Sequence, residues 1–150
     1  MTMRTLIFSL ICAFLAGCGG KPDAGPEAAL RAWVEAAEAY AEDKDRRGLM
    51  DMISENYADS RGNDYEQIGN VMRLMFLRQQ KVAFLTSIDD IVVMDETAAV
   101  VNLTVGMAGT NASALGIRAE AYNFELELEN TDDEWMLIGA RWGEVGREMH

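Results

Sequence analysis

Two cysteines, one histidine and 13 basic residues are a sparse supply, in a chain of 150, of the side chains used most for metal binding, nucleophilic catalysis and anion recognition. Both cysteines, Cys12 and Cys18, lie near the amino terminus, and the histidine is the final residue, His150. No zinc site, haem site or catalytic triad can be assembled from that set, and a terminal histidine is expected to be unordered. Neither G-x-x-x-x-G-K-[ST] nor G-x-G-x-x-G occurs, so nothing points to a nucleotide cradle. The expectation is therefore no metal and no cofactor. Acidic residues number 25, giving a formal net charge of −12. That balance repels phosphate at long range and argues against nucleic acid, heparin or a polybasic membrane patch. The longest apolar run, Leu6 to Leu15, is about half of the roughly 20 residues that a membrane-crossing helix needs. What is present is apolar and periodic: 49% of the residues are hydrophobic, which separates the chain from disordered sequences.

The short run at the start reads as a targeting segment. Arg4 precedes it and Leu15-Ala16-Gly17-Cys18 follows it. This tetrapeptide resembles the lipobox of bacterial lipoproteins, in which small residues admit the signal peptidase and the cysteine thiol takes a diacylglycerol. The alternatives are an ordinary secretory signal, or a short buried helix with a chance cysteine. The resemblance implies a signal peptide over 1–17, a lipidated tether over 18–25 and a folded domain over 26–150. The 150 residues less the 17 before Cys18 leave 133, with 12 basic and 25 acidic residues and a charge of −13. That is enough for one domain with its own core. Cys12 leaves with the signal and Cys18 is acylated, so the domain holds neither thiol nor disulfide. Acyl chains contribute about 0.8 kcal/mol per buried CH₂, which makes the membrane the first expected partner. Gly19, not aspartate, follows the cysteine. By resemblance to the sorting rule of enteric bacteria this favours a periplasm-facing place on the outer membrane over the inner one. The seven residues from Gly19 to Gly25 span at most about 25 Å and keep the domain close to the lipid.

Pro26 and Glu27 open a first helix in which Leu30, Trp33, Val34, Ala37, Tyr40 and Ala41 form one face, with Arg31, Glu35, Glu38 and Glu42 on the other. The charged stretch Glu42 to Arg47 is a connection, and Leu49, Met52, Ile53 and Tyr57 mark a second, shorter helix. Gly62 ends that region. Asn63 or Asp64 caps a third helix, Tyr65 to about Gln79, with Glu66 or Gln67 as reciprocal partner. Apolar residues wrap most of the third helix towards its end, which predicts burial between layers. From Val82 the period becomes two. One long strand, bent by a bulge at Asp89-Asp90, runs to Met94. Ala98 to Met107 follows, with Ala99, Val101, Leu103, Val105 and Met107 on one face. After a small-residue loop, Ala108 to Gly116, comes a strand with Tyr122, Phe124, Leu126 and Leu128 on one face. Asn130 to Asp133 turns into the last strand, Glu134 to Val145, apolar on both faces at its start.

Three helices followed by four consecutive strands describe an α+β domain, an antiparallel meander wrapped on a helical layer. This order resembles the nuclear transport factor 2-like superfamily, the cone-shaped folds shared with ketosteroid isomerase and scytalone dehydratase. The residues carrying the resemblance are the amphipathic first helix, the Tyr57-Ala58-Asp59 segment and Asp133-Glu134-Trp135-Met136-Leu137-Ile138. It covers Glu27 to Val145. It implies three helices on a curved sheet of about four strands, a pocket on the concave face, and often a homodimer through the outer face of the sheet. Members commonly insert a strand pair after the second helix, for which Ala58 to Asp64 is too short.

Several residues are candidates for chemistry. Tyr57 with Asp59 matches the tyrosine and aspartate that the isomerase branch uses as oxyanion donor and base; alternatively, Tyr57 anchors the helix and Asp59 turns the chain. Asp89 and Asp90 are sent to solvent by the bulge, or one faces inward and pairs with Arg73 or Arg78. Met72, Met75, Met94, Met107 and Met136 line an adaptable pocket or simply fill the core. Asp132, Asp133 and Glu134 are explained by a hairpin turn without any cation. Tyr57, Arg73, Phe76, Tyr122 and Trp142 are the expected pocket lining. The function expected first is a non-catalytic envelope lipoprotein whose cone takes a small apolar ligand or a partner protein. The others are a small isomerase, dehydratase or hydrolase using Asp59 and Tyr57, and a dimeric structural subunit with Trp135 and Leu137 as its seam.

Overall fold

The computed structural model describes residues 25–111 and 117–150. The expected signal segment, Cys18, the expected tether before Gly25 and most of the small-residue loop lie outside the described residues. Helix α1 spans Pro26–Glu42, α2 Arg46–Asp51 and α3 Tyr65–Arg78. Strands β1 (Gln79–Val93), β2 (Ala98–Asn111), β3 (Ile117–Thr131) and β4 (Glu134–Glu144) form one antiparallel sheet in the order β1-β2-β3-β4. Among the described residues no helix is long and apolar enough to cross a membrane.

Local chemistry accounts for these elements. Proline stands at the first turn of α1, where its missing N–H costs nothing, and Arg31 pairs with Glu27 at 2.8 Å on the exposed face. Leu30 and Val34, one turn apart, are buried. The helix stops where Lys44 takes a positive φ of 55°, and Asp45 caps α2 by accepting the Gly48 N–H at 3.0 Å. The start of α3 is a reciprocal capping box: Gln67 N donates to Asp64 Oδ1 and Asp64 N to Gln67 Oε1, each at 2.9 Å.

The second helix is shorter than the apolar spacing predicts. Beyond Asp51 the chain runs alongside β4: Leu137 N donates to Met52 O, Ser54 N to Leu137 O, Ala58 N to Ile138 O and Ser60 N to Ala140 O. Ile53 and Leu137 form a parallel bridge. A six-residue helix gains little from its own hydrogen bonds, whereas the β4 edge offers a row of unpaired backbone groups. Ile53 and Tyr57 are buried in the extended segment as well as a helix would bury them. The expected absence of an inserted strand pair holds except for one antiparallel bridge, Ala58 with Asp64, around Gly62 at φ 82°.

Burial of the third helix is the second difference. Only Ile68 and Gly69 are buried, while Leu74 is 48% and Leu77 74% exposed. Gly69 packs on Met50 of α2, and past that contact the helix turns its apolar side outward.

The sheet follows the alternation closely. The register slips between Ile88 and Asp90, which leaves both aspartates exposed, with Asp89 Oδ2 accepting from Thr104 Oγ1 at 2.8 Å. Ala99, Val101, Leu103 and Val105 face the core from β2, and Leu126 and Leu128 from β3. A further irregularity, opposite Glu127 and Leu128, skips Ile138 and shifts the phase of β4. Trp135 and Leu137, 7% and 8% exposed, therefore sit in the core together with Ala140, and cannot form a seam on the outer face. Asp132 and Asp133 turn the last hairpin at φ 54° and 65°, the signs a two-residue turn of this kind requires.

The carboxyl terminus is ordered, contrary to expectation. His150 N donates to Trp142 O at 3.3 Å and Trp142 N to His150 O at 3.4 Å, folding the tail back on β4. Gly143 makes room: a Cβ there would lie 2.7 Å from Glu148 O. Gly143→Ala should lower unfolding free energy by about 1–2 kcal/mol in urea titrations and raise hydrogen exchange in the last five residues. An unchanged midpoint would show that the tail does not dock.

Candidate functional site: an apolar cavity under the first helix

Between α1 and the concave face of the sheet lies a cavity of about 220 Å³. Trp33, Val34, Ala37 and Ala41 supply its roof from α1. Leu103, Val105, Phe124, Leu126 and Leu137 supply the floor, and Leu49, Met52, Ile53 and Met72 close one side. The space exists because Ala37 and Ala41 are too short to reach a floor that the bent strands curve away. The remaining wall is Phe84 and Thr86 of β1, with Glu38 of α1 the one charged residue in the lining.

Glu38 and Glu42, which the helical pattern assigns to the solvent side, reach across to the sheet edge. Glu42 Oε1 accepts the Phe84 N–H at 3.0 Å and Glu38 Oε2 the Thr86 N–H at 3.1 Å. These alternate residues present their N–H groups away from β2, so two carboxylates take over the bonds that a further strand would make. Trp33 contributes its ring to the roof, but its Nε1 is buried without a partner and is sealed from the empty space.

None of the five expected lining residues borders this cavity. Tyr57 is 3% exposed and packs in the core beside β4. Its hydroxyl donates to Asp59 Oδ2 at 3.2 Å. Asp59 is the hub of the following turn: Oδ1 accepts Arg61 N at 2.9 Å and Asn63 N at 2.8 Å, and Oδ2 also accepts Asn63 Nδ2 at 2.8 Å. A carboxylate so occupied holds the chain in its bend. Burial, then the Asp59 charge and its hydrogen bond, push the Tyr57 phenol well above its ordinary range. In this arrangement the Tyr57 hydroxyl is spent on the carboxylate and the carboxylate on the turn.

Trp142 stacks on Phe124 with centroids 6.3 Å apart and carries the Arg61 guanidinium 4.5 Å from its ring centre. Tyr122 touches Phe124 from the other side, and its hydroxyl donates to Glu120 at 3.1 Å. Burial, then Glu120, raise its pKa. Arg73 is exposed and Phe76 half-buried on α3. Of the methionines, Met72 lines the cavity and Met107 packs on the core, whereas Met75 and Met94 are exposed, so they form no single cluster. Among the described residues no group of three or more His, Cys, Asp or Glu is placed to hold a metal ion.

No protein family and no curated protein matches the sequence. The fold, in contrast, has many solved counterparts. A candidate scytalone dehydratase from Novosphingobium aromaticivorans superposes with a TM-score of 0.72 at 11% identity, over 80% of this chain and 93% of that one. A ketosteroid isomerase-like protein from Erwinia carotovora atroseptica gives 0.66 at 13%, over 80% and 96%. A hexachlorocyclohexane dehydrochlorinase, LinA type 2, gives 0.70 at 9%, over 83% and 88%. The chain therefore has the nuclear transport factor 2-like fold, with helices on an open four-stranded antiparallel sheet. Identities this low establish architecture and carry no reaction with them.

Tyr57 provides a pH test. A folded-state pKa raised above the ordinary value of 10.0 stabilises the native state fully below that value, and the contribution is lost as pH rises through the folded value. Urea midpoints of the wild type should fall more steeply than those of Tyr57→Phe between about pH 9 and 11. Asp59→Ala, which strips four hydrogen bonds from the turn, should cost about 2–4 kcal/mol at pH 7. Parallel midpoints for Tyr57→Phe and wild type would place the phenol in solvent.

Proposed function

We propose that this chain is a lipid-anchored envelope protein whose domain binds a small apolar molecule in the cavity under α1, without catalysing its conversion. The observation that carries the reading is the chemistry of the wall. Its lining is hydrocarbon and aromatic surface apart from Glu38 and Thr86, and these two are bonded to each other. A proton-transfer or nucleophilic centre needs a group within reach of bound substrate, and the Asp59 and Tyr57 pair points into the turn instead. The volume of about 220 Å³ suits a ligand of about nine non-hydrogen atoms, scaling from the ~150 Å³ cavity that holds benzene. Dehydratases and dehydrochlorinases share the architecture, so an enzyme on this scaffold is the alternative; Glu38, held by the Thr86 N–H, is the one carboxylate in this wall.

The anchor rests on Leu15-Ala16-Gly17-Cys18 and the apolar run before it. On this reading the domain faces the periplasm, and Gly19 after the cysteine favours the outer membrane.

Two measurements test this. Naphthalene should bind the wild type in heteronuclear NMR titrations, with shifts at Leu103, Val105 and Phe124. Ala37→Phe, which fills the roof, should abolish binding while leaving the protein folded; persistent binding would move the ligand elsewhere. Cys18→Ser should accumulate as an uncleaved, unacylated precursor, and normal processing of that variant would remove the anchor.

A further inference from the structure

Next to no polar surface faces the cavity: the Glu38 carboxylate is bonded to the Thr86 N–H, and Trp33 Nε1 is sealed off. A ligand inside therefore finds no partner for a hydroxyl, amine or carboxyl group. What the wall offers besides aliphatic surface is rings. Trp33 meets the space from α1, Phe84 from β1 and Phe124 from β3, with the flexible side chains of Met52 and Met72 alongside. Behind Phe124 the rings continue. Phe124 stands opposite Leu103 of β2 on one side and opposite Trp142 of β4 on the other. Leu103 lines the cavity and Trp142 does not, so the space lies on the β2 side and Trp142 backs the ring from the far side. The two rings stack with centroids 6.3 Å and planes 19° apart, and Tyr122 adds a tilted contact to Phe124 at 6.5 Å. Trp142 is itself held by Arg61, whose guanidinium lies 4.5 Å from the ring centre and whose Nη2 donates to Trp142 O at 3.1 Å.

Resting on the apolar-ligand reading, we infer that the cavity takes aromatic hydrocarbons without a polar head in preference to saturated ones of equal size, and that Trp142 is a positioning residue for this choice, acting through Phe124. An aromatic ligand gains edge-to-face or offset contacts with Trp33, Phe84 and Phe124, worth about threefold to tenfold in affinity beyond the area it buries. Those contacts depend on ring angle, which the contacts of a saturated ligand do not. Phe124 supplies them at a fixed angle because Trp142 and Tyr122 confine its ring, so the stack outside the cavity decides what the inside prefers. A polar head is excluded on a different ground: it would leave water and find nothing in exchange.

The test is a titration of the purified full chain at pH 7 with propylbenzene, propylcyclohexane and 2-phenylethanol, ligands of about nine non-hydrogen atoms each, read by calorimetry and heteronuclear NMR. The affinities of the two hydrocarbons are compared after correction for their own transfer from water to hexadecane. On that scale propylbenzene should bind about fivefold more tightly than propylcyclohexane, with ring-current shifts at Leu103 and Val105. Uncorrected, 2-phenylethanol should bind about a hundredfold more weakly than propylbenzene. Phe124→Leu should erase the aromatic preference while retaining propylcyclohexane. Trp142→Leu should lower the preference with propylcyclohexane unchanged, and Trp142→Phe, which keeps a ring behind Phe124, should restore it. Equal corrected affinities in the wild type, or a preference unchanged in Phe124→Leu, overturns the selectivity. A full preference in Trp142→Leu, or equal weakening of both hydrocarbons there, overturns the positioning role. Comparable affinity for 2-phenylethanol and propylbenzene overturns the exclusion of a polar head. Failure of both hydrocarbons to bind the wild type overturns the underlying reading as well.

Discussion

The seam between α1 and the edge strand β1 is the constraint on which the rest of the structure depends. A sheet edge exposes backbone N–H groups that water or another chain would otherwise satisfy. Here two glutamates one turn apart on a helix satisfy two of them, and so fix how far that helix stands from the sheet. The alanines on its inner face then leave space that Leu30 and Val34 do not fill. The same two carboxylates tie the roof of the cavity to its β1 wall. Architecture and candidate function thus share one set of contacts.

The opposite edge of the sheet is managed by backbone rather than by side chains. The stretch from Met52 to Ser60 runs beside β4, and the tail from Gly146 to His150 folds over the far end of the same strand. Between the protected edges the meander forms by local pairing alone. Two of its three register irregularities do different work: the one at Ile88 and Asp90 turns Asp89 and Asp90 outward, and the one opposite Glu127 and Leu128 moves Trp135 and Leu137 into the core. Asp59 closes the intervening turn by accepting four hydrogen bonds.

Much of this was legible in the sequence. Alternation over Ala99 to Val105 gave the buried face of β2, the adjacent aspartates marked a bulge, and Asp64 with Gln67 marked the start of α3. Competition between equally good local solutions hid the rest. Apolar residues at 49, 53 and 57 fit a helix or an edge-following segment, and the decision lay in β4, some 80 positions away. The phase of β4 was ambiguous because both of its faces are apolar and only the skipped Ile138 settles it. The site itself was hardest to read. Tyr57, Tyr122 and Trp142 attract attention as aromatics, yet the cavity is made by what is small, Ala37 and Ala41. The Trp33, Ala37, Ala41 stripe was visible at helical spacing. That Glu38 belonged with it was not, because side-chain pattern cannot show that a neighbouring strand is an edge.

The proposed role requires a dry apolar space between α1 and the sheet. A crystal structure determined under xenon pressure tests it most directly, since xenon enters apolar cavities and avoids polar, water-filled ones. The account predicts a xenon site bounded by Ala37, Val105 and Phe124, with the Glu38 bond to Thr86 intact. A roof collapsed onto the floor, or a chain of ordered waters in its place, would contradict it.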